Sequence, residues 1–379
     1  MANTLTGLIP DIYEALDVVS REQVGAMMAV SNENSVERAA QGQEVRIMVS
    51  NAESSTDIEP GVTPPDDGDT TTGYVPMLLT HAKRVPVRMN GKEVKGLNHG
   101  AGASNWRAAR FAQGFRHLSN LIEASIVSNY KYASRAVGTA GTVPFAADIG
   151  DSAQALKVMI DNGAPRNALR MVLNTSASTR LRTLGHLTKA NEAGTDSTLR
   201  TGSLLDLNGW RIGETGAFEG LAHIKGTGAG YLVNSATLVR GDTDIPVDTG
   251  AGTIVAGDVV TFAGDPNNYM VQEDMAAGVL KIAKPGLLQA PADDAAITVG
   301  DSYAANLAFD RHAIQLATRA PELPEEGDMA ADRQLVTDPF SGMTYEIALY
   351  PQYRQIQYEI SIVWGSKVIK PEHFAVLMG

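Results

Sequence analysis

Seven histidines, at positions 81, 99, 117, 186, 223, 312 and 373, are the first residues to weigh for chemistry. No two stand at the helical spacing that brings a pair of imidazoles onto one metal ion. His312 adjoins Asp310 and Arg311, a trio suited to proton transfer, yet no GxSxG turn supplies a nucleophile. Members of a triad can be distant in the chain, so sequence alone leaves that possibility open. Gly226-Thr-Gly-Ala-Gly230 resembles part of a phosphate-binding loop, but the last spaced glycine is missing and strand-forming residues follow where a helix is needed. These glycines are read as turn residues. Asp265-Pro-Asn-Asn-Tyr269 has a hint of calcium-loop spacing without the turn glycine or the closing glutamate, and reads as a turn. Asp66, Asp67 and Asp69 could hold a cation loosely; a solvated acidic tip is the simpler reading. No GxxxxGK[ST] loop and no HExxH motif is present. With no cysteine in the sequence, disulfides, thiolate zinc sites and cysteine nucleophiles are excluded. No catalytic residue, cofactor site or metal ligand is assigned.

The elements that would carry these residues belong to a large folded chain. It has 379 residues, 44 % hydrophobic and 20 % charged, which suits two or three compact lobes or one lobe with arms. No apolar run approaches a membrane span. Met1–Pro10 has neither the positive charge nor the apolar block of a signal peptide. The net charge of −12 is opposite in sign to that of a protein whose main task is gripping phosphates.

Near the start, Pro10 suits a first helical position, Asp11 and Glu14 suit the first turn, and Ile12, Leu16 and Val19 form a narrow apolar stripe. That stripe must dock on the body or on another copy. Val45, Ile47 and Val49 then alternate with Arg46, Met48 and Ser50, as do Val85 and Val87 with Arg84, Pro86 and Arg88, so both runs predict strands. Between them, Thr56–Gly73 is rich in Pro, Gly, Asp and Thr and cannot bury a core. The expectation is a projecting β-hairpin with a long polar tip. Because a lone hairpin is marginal in water, it should lie on a neighbour.

Ser104–Arg135 predicts the longest helix, about 45 Å at 1.5 Å per residue, with Trp106, Phe111, Phe115, Leu118, Ile122, Ile126 and Tyr130 in period. Five cations against Glu123 give it a net +4. Residues 150–225 alternate helical and strand texture: helices at Ala153–Ile160 and Ser176–Leu184, strands at Arg170–Leu173 and Leu204–Gly213. From Gly226 to Ser302 short strands and turns suggest a small barrel or sandwich. Three cations against ten acids give that stretch a net −7. α+β texture resumes after it, so it reads as an insertion. Long alternating strands close the chain at Tyr345–Leu349 and Ile356–Trp364.

Four segments carry a resemblance. They are Asn306–Pro321, Asp338-Pro-Phe-Ser-Gly-Met343, Ile360–Glu372 with its Gly365-Ser-Lys-Val-Ile-Lys-Pro-Glu372 ending, and the pair Val255–Gly264 and Tyr269–Gln272. Taken with the opening Leu5–Val19 and the order of elements, they resemble the major coat proteins of tailed bacteriophages, in particular the P-22-type coat family. The resemblance covers essentially the whole chain; its motifs are short, and their order and spacing make it specific. It implies an α+β Hong Kong 97 capsid fold. The expected parts are an N-terminal arm (1–43), an extended β-hairpin loop (44–97), a peripheral domain with a spine helix (98–149), an axial domain (150–225), an inserted small β-barrel (226–302), an axial return (303–330) and peripheral strands (331–379). The inserted barrel is shorter than in the family's archetype.

The resemblance also implies a shell protein and not an enzyme. Copies would assemble into hexamers and pentamers of an icosahedral head around double-stranded DNA. The implied partners are the chain itself, a scaffolding protein, a portal, and packaged DNA by non-specific contact, with no membrane. The implied place is the virion, after assembly in the host cytoplasm. Candidate subunit-interface residues are Ile12, Leu16, Val19, Asp66, Asp67, Asp69, Arg84 and Arg88, with Arg84 and Arg88 expected to meet acids on a neighbour. Arg107, Arg110 and Arg116 are a candidate interior basic face, and the acidic barrel is expected on the outside. Other readings are a decoration protein that coats an existing lattice, a nanocompartment shell of the same fold, and an enzyme with a spatially assembled site.

Overall fold

The computed structural model describes residues 25–49, 72–97, 103–189, 197–204, 206–218, 221–338 and 342–379, with isolated positions between 55 and 62. The body opens with helix α1 (Gly25–Ala29) and strand β1 (Ser31–Ala39), followed by β2 (Glu44–Val49), β3 (Gly73–Leu78), β4 (His81–Asn90), α2 (Gly91–Leu97) and the long helix α3 (Ala103–Val127). Next come β5 (Arg135–Val137), α4 (Gly150–Asp161), β6 (Leu169–Leu173), α5 (Thr175–Thr183), β7 (Arg211–Glu214) and β8 (Ala222–His223). Six short strands then form a separate lobe: β9 (Leu232–Val233), β10 (Asp244–Asp248), β11 (Val259–Phe262), β12 (Tyr269–Met270), β13 (Val279–Lys281) and β14 (Ile297–Val299). The chain ends with β15 (Tyr303–Asp310), β16 (Ile314–Pro321), β17 (Asp332–Thr337), β18 (Thr344–Gln352), β19 (Gln355–Val368) and β20 (Phe374–Met378). The class is α+β.

The helical period of Phe111, Phe115, Leu118, Ile122 and Ile126 puts five fully buried side chains on one stripe of α3. That stripe lies on a six-stranded sheet of order β1-β16-β19-β18-β17, with β4 also paired to β19. Phe111 meets Tyr358 edge-on at 5.4 Å and Phe115 meets Tyr345 edge-on at 5.2 Å. Gly114 permits the close approach, since a Cβ there would fall 2.9 Å from the Ile360 side chain. A second sheet runs β14-β11-β12-β5-β20-β15-β6-β7, with β8 on β15. Helices α4 and α5 and Trp210 cover it through a second apolar cluster.

The lobe between β8 and β15 has a core of its own, around Val233, Ile245, Val260, Phe262, Val271, Leu280 and Ile282. Its strands pair in a ring: β9 with β10, β10 with β13, β11 with β12 and with β14. Two single bridges, Leu232 with Ala296 and Val271 with Ile282, close it. In a ring this small side chains alone fill the interior. The chain enters and leaves the lobe through adjacent strands, because His223 pairs with Tyr303 and Ala222 with Ala304.

Several expectations need correction. The second strand of the hairpin is not the Arg84–Arg88 run. Strand β2 pairs with β3, Val45 opposite Met77 and Ile47 opposite Val75. Strand β4 instead joins the body beside β19, with Val87 buried under α3 and Met89 also buried. Both runs alternate, and alternation reports one covered face without saying what covers it. The segment expected as an arm over 1–43 is part of the body from residue 25 on. Ala26, Met27, Ala29 and Val30 are buried, and β1 pairs in parallel with β16. The expected axial and peripheral boundaries do not follow the sheets either. Strand β15 pairs with β6 and with the C-terminal β20, whereas β16 pairs with β19.

Helix α3 is shorter than expected. Beyond Val127 the chain tightens into a 3-10 turn, where the Asn129 amide donates to the carbonyls of Ser125 and Ile126 and the Ser128 hydroxyl to that of Ser125. Side chains take the acceptors that would continue the ladder. Arg135 therefore lies in β5, outside the helix. Residues Ile12, Leu16 and Val19, and the helix expected there, lie outside the described residues.

The hairpin roots on the sheet face turned away from α3, where Met77 and Leu79 pack on Ala39, Ala317 and Val363. Lys367 Nζ donates to the Pro76 carbonyl at 2.7 Å. Gly365 makes room for the root, since a Cβ there would fall 2.3 Å from the Leu78 carbonyl oxygen. Gly365→Ala should therefore displace the root and destabilise the fold by about 1–3 kcal/mol, the usual cost of overpacking. A urea midpoint equal to that of the parent chain would contradict this.

Candidate functional site

Two buried polar centres and one exposed surface stand out. In the first centre, His223 Nε2 lies 2.8 Å from Asp258 Oδ1 and His223 Nδ1 lies 3.1 Å from the Tyr130 hydroxyl. This has the composition of a proton relay, but its geometry is that of a joint. Asp258 also accepts from the backbone N–H groups of Gly226, at 3.1 Å, and Val255, at 2.8 Å. The Tyr303 hydroxyl donates to the Gly257 carbonyl at 2.8 Å. Burial pushes both Tyr130 and Tyr303 up from the usual phenol range, and the Asp258 charge adds to it. The phenols stay protonated. His223 and Asp258 are both almost fully buried, so the cluster presents no acid, base or nucleophile to a substrate. It fastens the lobe to the end of α3.

The Gly226–Gly230 loop belongs to this joint. A Cβ on Gly226 would fall 2.2 Å from the Thr253 carbonyl oxygen, and the Gly228 N–H donates to that same oxygen at 2.7 Å. These glycines serve close backbone approach and not phosphate binding. Asp265 closes its own turn, accepting from Asn267 N at 2.9 Å and from the Tyr269 hydroxyl at 2.6 Å. Asp310 likewise accepts from His312 N, at 2.9 Å. Among the described residues no group of three or more His, Asp or Glu side chains is placed to hold a metal.

The second centre is Glu123, on the inner side of α3 and 1 % exposed. Its carboxyl accepts from Ala26 N at 3.1 Å and Met27 N at 3.3 Å, and from the Thr215 hydroxyl. It pins α1 beneath α3. Burial raises its pKa to about 8 against the lowering effect of these donors. A folded-state pKa above the unfolded value means that the folded chain holds the proton more tightly. The stabilisation is complete below about pH 4.5 and is lost as the pH rises through about 8.

The exposed surface is the hairpin. Its outer face carries Met48, 76 % exposed, with Tyr74 and Leu78 each about half exposed. Arg46 lies over the Tyr74 ring at 4.8 Å. The inner face, Val45, Ile47 and Val75, is only partly covered. Asp66, Asp67 and Asp69 lie outside the described residues.

The two arginines expected at an interface have partners within the chain. Arg84 meets an acid of its own chain, Glu359, at 2.5 Å, and Arg88 donates to the Gln357 side chain at 3.2 Å. Strand β4 lies directly against β19, which supplies both partners. On α3, Arg110 is exposed and sits 5.5 Å above the Trp106 ring, while Arg107 and Arg116 are half-buried. Glu123 and Arg135 are both buried, so neither counts toward the exposed charge of this helix. Sequence reasoning missed the joint and the Glu123 centre. Nothing in periodicity marks a histidine and an aspartate 35 residues apart as partners.

No family model matches the sequence, and no curated protein matches it. Among solved structures the chain is similar in fold to one from Mycobacterium phage Che8, at 15 % identity over 90 % of this chain and 88 % of that one, TM-score 0.44. It is similar to the capsid structure of cyanophage P-SCSP1u at 12 % identity, covering 92 % and 86 %, TM-score 0.48. It is also similar to the virus-like particle from Pyrococcus furiosus at 9 % identity, covering 98 % and 99 %, TM-score 0.45.

Glu123→Gln keeps an acceptor for the α1 amides and cannot ionise. The parent chain should lose stability between pH 5 and pH 8.5, by a few kcal/mol at ~1.4 kcal/mol per pKa unit. The variant should show a flatter profile. Urea midpoints across that range decide it, and equal slopes would exclude Glu123 as the titrating group.

Proposed function

We propose that this chain is the major coat protein of a tailed bacteriophage and builds the icosahedral head by self-association. One observation carries the reading: the two-stranded β2–β3 hairpin has large apolar side chains on both faces and only its root packed on the body. Such a hairpin is marginal in water. Exposed Met48, Tyr74 and Leu78 gain most from burial on another copy. Symmetry repeats each weak contact many times, so small individual gains sum to a stable shell.

Further features support it. The order of hairpin, long helix, paired sheets and inserted β-lobe is the order that the sequence resemblance implies. In this reading α3 is the spine helix, β8 to β15 bracket the inserted barrel, and copies form hexamers and pentamers. The acidic lobe faces outward. Arg107, Arg110 and Arg116 face packaged DNA and touch its phosphates without reading sequence. A scaffolding protein and a portal take part in assembly in the host cytoplasm, and the chain has no catalytic role.

Electron microscopy of the purified chain, alone and with the proteins encoded beside it, tests the proposal. Closed shells or aberrant spirals are expected. A monodisperse monomer under both conditions would overturn it in favour of a lattice-binding protein. Replacing Met48, Tyr74 and Leu78 together by serine should leave the melting temperature of the monomer within a few degrees, because these side chains are solvent-exposed, and should abolish shells. Normal shells from that variant would remove the hairpin's outer face from the assembly surface.

A further inference from the structure

We infer that the β18–β19 turn is a knob that inserts Tyr353 into a groove on the same end of a neighbouring copy. This rests on the self-association reading and gives it a specific contact. Tyr353 sits at the apex of a two-residue turn and is 87 % exposed, and Arg354 follows in the left-handed region at φ 56°. The guanidinium of Arg354 lies 5.7 Å from the Tyr353 ring centre. The turn is held firmly: Gln355 Nε2 donates to Gln352 Oε1 at 2.8 Å, and Gln352 Nε2 donates to Gln357 Oε1 at 3.1 Å. A rigid, exposed aromatic stacked with an arginine has the composition of an interface anchor.

The groove lies just behind the turn, on the sheet face turned away from α3. It has a volume of about 290 Å³ and is lined by Arg84, Met329, Tyr350, Pro351, Gln357 and Glu359, among others. Met329 is 82 % exposed. The hairpin root covers the far end of this same sheet face, at Ala317 and Val363; among the described residues the groove end has no such cover.

The lining suits a phenol. Met329, Tyr350 and Pro351 offer a thioether, a ring and an apolar edge, which pack on an aromatic face. Glu359 offers an acceptor for its hydroxyl. Charge fits as well: the loop that carries Met329 also carries exposed Glu325 and Glu326, which would meet Arg354 of the incoming turn. Knob and groove are a few residues apart on one protomer. The operation relating two copies therefore brings the turns themselves together around a nearby axis. The occupant is a second copy of this chain.

The sequence has no cysteine, so introduced thiols report only the intended pair. Chains carrying Tyr353→Cys and chains carrying Met329→Cys, distinguishable by size, would be assembled together and oxidised. A mixed disulfide between the two chain types is expected. Its absence in assembled particles would overturn the inference. Tyr353→Ser should fold with the parent circular dichroism and melting temperature. It should raise the concentration needed for assembly about thirty-fold, the equivalent of ~2 kcal/mol for a lost anchor. Unchanged assembly would again overturn it. If the parent chain forms no particles, the self-association reading falls first. If the parent assembles and Tyr353→Ser assembles equally well, only this contact is wrong.

Discussion

The packing of one amphipathic helix on one face of a six-stranded sheet governs the rest of this structure. Five buried side chains of α3 and the gap at Gly114 let the helix lie close on β4, β18 and β19. The same helix supplies Glu123, which anchors α1, and leads into Tyr130, which reaches the joint of the lobe. With the helix fixed to one face, the other face of the sheet is left to be covered by something else. The chain covers part of it with the root of its hairpin, and the remainder carries side chains that suit partners.

The two buried polar centres illustrate one principle. A buried charge or polar group is costly unless its partners are complete. At the joint, Asp258 collects a histidine and backbone donors, so the lobe is held by oriented bonds in addition to apolar area. At Glu123 burial outweighs the donors, and the group is held as a neutral acid. Chemistry that looks catalytic in composition is here used for fastening, because neither centre opens to a substrate.

Periodicity revealed the helix stripe and the long closing strands, since each of these buries its own face locally. It did not reveal pairing. The alternation at Val85–Val87 is real, yet its covered face belongs to the body and not to the hairpin, because β19 and α3, remote in sequence, supply the cover. The length of α3 was overestimated because the apolar period runs on through Tyr130, while Ser128 and Asn129 stop the helix by taking its carbonyls. The intrachain partners of Arg84 and Arg88, Glu359 and Gln357, were not legible for the same reason: the identity of a charge partner depends on strand register, which the sequence of one strand does not contain.

The doorway of the lobe has a consequence of another kind. Because His223 and Tyr303 are paired neighbours in one sheet, the body closes on itself across the insertion point. It sets no required length for what lies between them. Within the 79 residues from Ile224 to Ser302, the parts away from the joint at Asp258 and from the pairing of β12 with β5 can be lengthened, trimmed or exchanged over evolutionary time while the surrounding sheet keeps its register. Those parts of the lobe are thus where descent can try new surfaces without rebuilding the frame.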